Sequence, residues 1–278
     1  MILSGLTFIS VVILVRVSQN INRIFRSEVL KGLHRTAKLE KQILTEDDIK
    51  SLPDIVKKYL LYVGAVGKEK VKSLRTVTEI YMELGADRGN AKMTAVEYNF
   101  FDDNPARLVL MKFTMKGLPV TGLDSYINGK GRMLMKPLGL LTVVDATGTV
   151  MDNSSAAVML LLNMCIAAPS TLIDDRITWT DISSSSIKVT FQDNECIVSG
   201  VLDFNEEGEL INFSTEDKYY SPSGGSYKKV RWSTPVKDYS IINGLKLSTY
   251  GEATWHFPEG DFCYGKLKLE QIDYNCIQ

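Results

Sequence analysis

The sequence predicts a mainly β protein in which one large, curved antiparallel sheet, a half-barrel, wraps around a single buried apolar helix, with further helices on its N-terminal side. Three observations carry that expectation. From about Val71 onward, apolar and polar residues alternate with the period of a strand. Turn chemistry closes these runs at intervals of roughly ten residues. One segment, Ala156 to Ala168, is apolar nearly all round, and a helix without a polar face must be buried.

The chain opens with Met1 to Val17, which carries no charged side chain before Arg16. As a helix it covers roughly 25 Å, slightly short of a bilayer core of roughly 30 Å. Val17, Ile21, Ile24 and Phe25 extend its apolar face, and Arg16 can snorkel. A cleaved signal peptide is the competing account, but it wants a base before the apolar run and a small-x-small site after it, and neither is present. Residues 1–17 are therefore expected to be a transmembrane anchor. Residues 18–44 then form a basic amphipathic juxtamembrane helix or linker. Seven Lys/Arg against two Glu lie between Arg16 and Lys41. The positive-inside rule places the following domain, residues 45–278, in the cytoplasm. These bases are expected to lie along an anionic lipid surface, the alternative being a solvated linker.

Thr45 with Glu46, Asp47 and Asp48 reads as a capping-box-like helix start. Pro53 then begins a stretch in which Ile55, Val56, Tyr59, Leu60 and Val63 share helical spacing, and Gly64 stops it. Past Val71 the strands begin: Val77, Glu79, Tyr81 and Glu83 alternate against Thr78, Ile80, Met82 and Leu84. Asn128-Gly129 and Asn243-Gly244 suit tight hairpins, because both central residues of a type I′ turn need positive φ. Asp193-Asn194, Asn205 to Gly208, Pro258 to Asp261 and the polar tip Ser183 to Ser186 are further turns. About a dozen strands joined by such short links mean an antiparallel meander, since parallel pairs need long crossovers. Asp152 to Ser155 reads as the N-cap cluster of the apolar helix, and Pro169 as its stop.

Composition narrows the function classes. An apolar fraction of 45% and a charged fraction of 23% are those of a globular protein. A net charge of −1 offers no field for nucleic acid. Cys165, Cys196, Cys263 and Cys276 show no metal spacing and read as reduced, mostly buried thiols. With two histidines in the chain, no His-based metal or triad site is expected, and no cofactor.

Several motifs are familiar together: Tyr59-Leu60-x-x-Val63-Gly64-Ala65-Val66-Gly67, Tyr126-Ile127-Asn128-Gly129-Lys130-Gly131-x-Met133, and Leu138-Gly139-Leu140 followed by Ala146-x-Gly148. Trp232-Ser233-x-Pro235 with Asp238-Tyr239 follows, and then Gly251-Glu252-Ala253-x-Trp255-His256-x-Pro258-Glu259-Gly260 with Phe262 and Tyr264. Over about Leu52 to Tyr274 the chain resembles a bacterial family of anchored proteins known only as a domain of unknown function, of the DUF6544/DUF6920 type. That family looks like the lipoprotein-carrier half-barrels. The resemblance implies a curved sheet around a helix that holds acyl chains, and it brings no catalytic residues.

The candidate ligand-binding residues are Met111, Phe113 and Met115 on one strand face, Met133 and Met135 on another, Met159 on the helix, and Tyr126, Trp232 and Trp255 near strand ends. Unbranched thioethers adapt to ligands of variable shape, and aromatic rings suit a cavity mouth. The same residues serve equally as gap filling and strand formers. His256 and Glu252, four apart on a strand, are about 13 Å apart and cannot bond directly. His256 therefore reads as a satisfied structural histidine. The expected function is a non-catalytic, membrane-anchored binding or carrier module for an apolar, lipid-like or acyl-like ligand. A scaffold with a filled core is the alternative, and a hydrolase around His256, Glu252 and Asp238 stands third.

Overall fold

The computed structural model describes residues 20–83, 89–221 and 226–277. Its first helix, α1 (Asn20–Thr36), buries Ile21, Phe25, Val29 and Leu33, a stripe at four-residue spacing. The stripe packs on Phe100, Leu108, Leu110, Leu123 and Leu134 of the sheet. Gly32 allows the close approach, since a Cβ there would lie 2.3 Å from the Phe100 ring. Residues 18–44, expected as a juxtamembrane segment, thus include a helix whose apolar side faces the sheet instead of lipid. The expected anchor, 1–17, lies outside the described residues. Among the described residues no helix is long and apolar enough to cross a membrane.

The helix expected at Thr45 is only a series of turns. Its cap contacts do form: Thr45 N–H donates to Asp48 Oδ2 at 2.8 Å. Pro53 disfavours helical backbone at Leu52, so the run cannot continue. The helix begins after it, as α2 (Asp54–Tyr62), and Gly64 at φ +70° ends the turn beyond.

Thirteen strands form one antiparallel sheet. In chain order they are β1 (Ser73–Glu83), β2 (Asn90–Phe100), β3 (Ala106–Met115), β4 (Leu118–Ile127), β5 (Lys130–Pro137), β6 (Val144–Ala146), β7 (Ile177–Asp181), β8 (Ser186–Asp193), β9 (Cys196–Phe204) and β10 (Leu210–Thr215), then, after a separate pair, β11 (Tyr219–Tyr220) and β12 (Lys228–Lys229), the strands β13 (Arg231–Ile242), β14 (Leu245–Phe257) and β15 (Gly260–Tyr274). The order across the sheet is β6-β5-β4-β3-β2-β1-β15-β14-β13-β10-β9-β8-β7. Neighbours are joined by hairpins or short links except β10 with β13, which the β11–β12 segment separates, and β1 with β15, which brings the two ends of the sheet's sequence together at its centre. The Asn128-Gly129 and Asn243-Gly244 turns have both residues at positive φ, as type I′ requires.

A continuous helical run fills one part of the concave side: α3 (Thr149–Met151), a π turn (Asp152–Ala157) and α4 (Val158–Ile166). Asp152 does not cap a helix. Its carboxylate accepts the Gly131 N–H at 2.7 Å and the Lys130 ammonium at 3.2 Å, so the helix starts earlier than the sequence suggested. Val158, Leu160, Leu161, Leu162, Met164 and Cys165 are buried. The free carbonyls at the helix end are met by tyrosines. Tyr59 O–H donates to Cys165 O at 2.7 Å and Tyr274 O–H to Ala167 O at 2.6 Å.

The sheet is not closed by backbone bonds, yet its far ends meet at one rim. Tyr126 on β4 donates to Asp193 Oδ2 at the end of β8, at 2.6 Å. Arg176 donates to the Asp102 carbonyl at 3.2 Å. This rim is clasped. The opposite rim, where β1 ends at Glu83 and β3 turns into β4, has no such bridge among the described residues. α1 packs across the outer face of the sheet and ends at the clasped rim. Phe25 meets Tyr98 edge-on at 6.0 Å, whereas Arg35 reaches Asp102, beyond the end of β2, at 2.7 Å.

Candidate functional site

Register decides which side chains share the hollow. Met111 pairs with Ala95 on β2 and Gly122 on β4, and Gly122 pairs with Met135 on β5. Period-two alternation then lines up Met93, Ala95, Val109, Met111, Phe113, Met133 and Met135 on the concave face. These residues, with Ile80 and Met82 from β1, form a cluster separate from the main core. Met93 and Met111 are buried, while Ile80, Met82, Phe113, Met133 and Met135 are half-buried. Gly122 is their floor: a Cβ there would lie 2.9 Å from the Met111 methyl and 3.5 Å from Met135 Cγ. The helical run covers the clasped part of the concave face, and among the described residues no helix lies over these methionines.

A polar row separates the two parts. Arg107 donates to Glu97 at 2.6 Å and to Asp124 at 2.7 Å, all three largely buried. Asn163 of α4 adds a bond to Glu97 at 2.6 Å, tying the helix to the sheet. Lys218, from the link after β10, lies beside this row. Its ammonium sits 4.2 Å over the Trp232 ring and 3.2 Å from the Met159 sulfur. Burial lowers its pKa to about 7, Asp124 working against that and Arg107 with it. Asp124 Oδ1 is buried without a hydrogen-bond partner among the described residues.

The nine residues singled out from sequence divide into two groups. Met111, Phe113, Met133 and Met135 come together in the methionine cluster, and Met115 lies further out on the same face. Met159 lies on the helix, packed against the main core and touching Lys218. Tyr126, Trp232 and Trp255 do not line a mouth; all three are buried in the main core. Tyr126 is bonded into the clasp, and the Trp232 indole donates to Tyr264 O–H at 3.2 Å. Sequence reasoning passed over Met82 and Met93, which the β1–β2 and β2–β3 registers add, and the buried charges Glu97, Arg107, Asp124 and Lys218. An Arg inside an apolar strand, Ala106 to Met111, was the one available signal.

His256 has two partners that sequence spacing did not suggest. Its Nε2 lies 2.8 Å from Ser233 Oγ and its Nδ1 2.7 Å from Asp261 Oδ1, across the β14–β15 hairpin. The order Ser–His–Asp resembles a nucleophile relay, but Ser233 is mid-strand, paired with Ser214 on one side and Thr254 on the other. Backbone donors around it are committed to the sheet, and an acyl-transfer site needs free ones aimed at an oxyanion. The arrangement holds the histidine in place. At the clasped rim, a cleft of about 460 Å³ is lined by Asp103, Asp175, Arg176 and Asp193, walls too polar for an acyl chain. Among the described residues no cluster of His, Cys, Asp and Glu is placed to hold a metal.

A family model described as a family of unknown function, DUF6544, matches residues 42–267. No curated protein matches the chain. Among solved structures, the chain is similar to a LolA superfamily protein from Nitrosomonas europaea, with 8% identity and a TM-score of 0.41 over 80% of this chain and 94% of that one. It is also similar to a DUF1329 family protein from Desulfovibrio piger, with 10% identity and a TM-score of 0.44 over 84% and 94%. Likeness at this level leaves function to be argued from the residues of this chain.

Proposed function

We propose that this chain, which belongs to the DUF6544 family of unknown function, is a membrane-tethered binding or carrier module for an apolar, acyl-like ligand and does no covalent chemistry. The supporting observation is the methionine cluster on the concave face, half-buried Met82, Met133 and Met135 beside buried Met93 and Met111, lying beyond the cover of the helical run. Thioethers on flexible stems mould to a chain of any length or bend. The polar row of Glu97, Arg107 and Asp124 bounds that surface on the helix side, so a chain would lie between the row and the open rim. The tether in this reading is residues 1–17, with the domain on the cytoplasmic side.

The test uses the full chain purified from cells. Lipid extraction and mass spectrometry look for a co-purifying acyl compound, and titration with palmitate measures binding directly. Replacing the half-buried Met133 and Met135 by Gln, as M133Q with M135Q, is expected to weaken palmitate binding about tenfold, the scale set by burying part of two apolar side chains. A clean extract together with no palmitate binding would remove the carrier and leave a scaffold.

A further inference from the structure

We infer that the corner of the sheet formed by the β3–β4 turn and the β5–β6 link is a docking site for an anionic lipid surface. Four large apolar side chains stand exposed there: Leu118 (49%), Leu138 (46%), Leu141 (66%) and Val143 (56%). They are neighbours in space. Leu138 N–H donates to Pro119 O at 2.7 Å, Leu141 N–H to Pro137 O at 3.4 Å, and Val143 N–H to Met135 O at 3.0 Å. Single exposed leucines need no explanation, whereas a group of four on one corner does.

The backbone is strained to display them. Leu138 sits at φ +55°, a left-handed conformation that suits glycine and costs a branched residue about 1–2 kcal/mol. Gly139 follows at φ +69°, so the turn takes left-handed backbone at both positions and places a leucine at the first. Leu138 belongs to none of the buried clusters, and nearly half of it stays exposed. A strained, half-exposed leucine at a corner with three other exposed apolar residues fits a surface that meets something outside the fold.

Charge names the occupant. From 105 to 123, and again from 125 to 144, the sequence contains no Asp or Glu, while Lys112, Lys116 and Lys136 lie at the tip and flanks of the corner. None of the three lysines is in an ion pair among the described residues; the nearby Asp145 is held by Arg132 at 2.7 Å. Apolar tips ringed by unpaired bases fit the boundary of an anionic bilayer, where each base adds about 1 kcal/mol. Met115 pairs with Leu118, so the docked corner continues into the methionine surface. The docking itself stands whether or not that surface carries a ligand.

The experiment places an indole at the corner of the full chain, as Leu141→Trp, in vesicles of phosphatidylcholine and phosphatidylglycerol whose acyl chains are brominated. Bromine quenches an indole only at membrane depth, and the parent chain gives the baseline for the native tryptophans. Strong quenching above that baseline is expected for Leu141→Trp and none for Ile241→Trp, an exposed position at the clasped end. Adding Lys116→Glu or Lys136→Glu should lower the ratio of docked to undocked protein about fivefold for each lysine, and vesicles of phosphatidylcholine alone should lower it likewise. Equal quenching at positions 141 and 241, or quenching indifferent to both lysines, overturns the inference. Failure of palmitate binding with quenching intact would sink the carrier reading alone.

Discussion

Lys218 shows how much one side chain can depend on its surroundings. Its pKa in the fold is about 7 against 10.5 for the free side chain, because burial takes the ammonium out of water and disfavours the charge. Below pH 7 folded and unfolded chains both hold the proton and the full penalty applies. Between about 7 and 10.5 the unfolded chain holds more protons than the folded one, so this residue makes stability rise with pH, at most by about 1.4 kcal/mol per unit. Urea midpoints measured from pH 7 to 9.5 should climb in the parent and lose that part of the slope in Lys218→Met. The opposite kind of change is Arg107→Met. It strands Glu97 and Asp124 in the interior without their cation and should cost about 3–5 kcal/mol, read as a large drop in the same midpoint. The methionines were legible in the sequence because period two sorts them by face. Lys218 was not, since Glu216-Asp217-Lys218-Tyr219-Tyr220 reads as a polar link and only the curvature of the sheet carries it over a tryptophan.

Elements are legible to the extent that local rules decide them. Hairpin strands and their Asn-Gly turns follow from two or three residues each, and those appear where the sequence put them. The apolar helix was recognised by its lack of a polar face, but its start was not. Asp152 has a more favourable partner in the Gly131 N–H than any helix cap, and that partner is 21 residues away in sequence. α1 shows the same limit, because an amphipathic stripe does not say whether it meets lipid or a sheet. Its packing gives a sharp test in Gly32→Ala. Helix propensity alone would favour alanine by about 1 kcal/mol. The 2.3 Å approach of the Phe100 ring reverses the sign, and a net loss of about 1–3 kcal/mol is expected. Faster hydrogen exchange confined to α1 amides would identify the cause.

At the scale of the molecule, one sheet of thirteen strands depends on the central β1–β15 pair, which joins residues about 200 apart in sequence. All four cysteines are free thiols, so reductant should leave the unfolding temperature unchanged. Cys165 is wholly buried and its thiol is pushed far up by burial. It should resist Ellman's reagent until the chain unfolds, when all four react. The antiparallel class and the wrapped helix could be read from the sequence. The clasp could not, since Tyr126 and Asp193 each look like an ordinary turn-adjacent residue until the ends of the sheet are brought round to meet.

Tongs pinned at one end keep their grip there while the jaws are free to spread. Side-chain bolts such as Tyr126 with Asp193 fix the girth at one rim, whereas the other rim has no such bolt among the described residues. A slight change in strand twist can therefore widen that rim without breaking any rung of a ladder. In the proposed carrier, the thickness of whatever lies between the jaws would be set by the guest and not by the host.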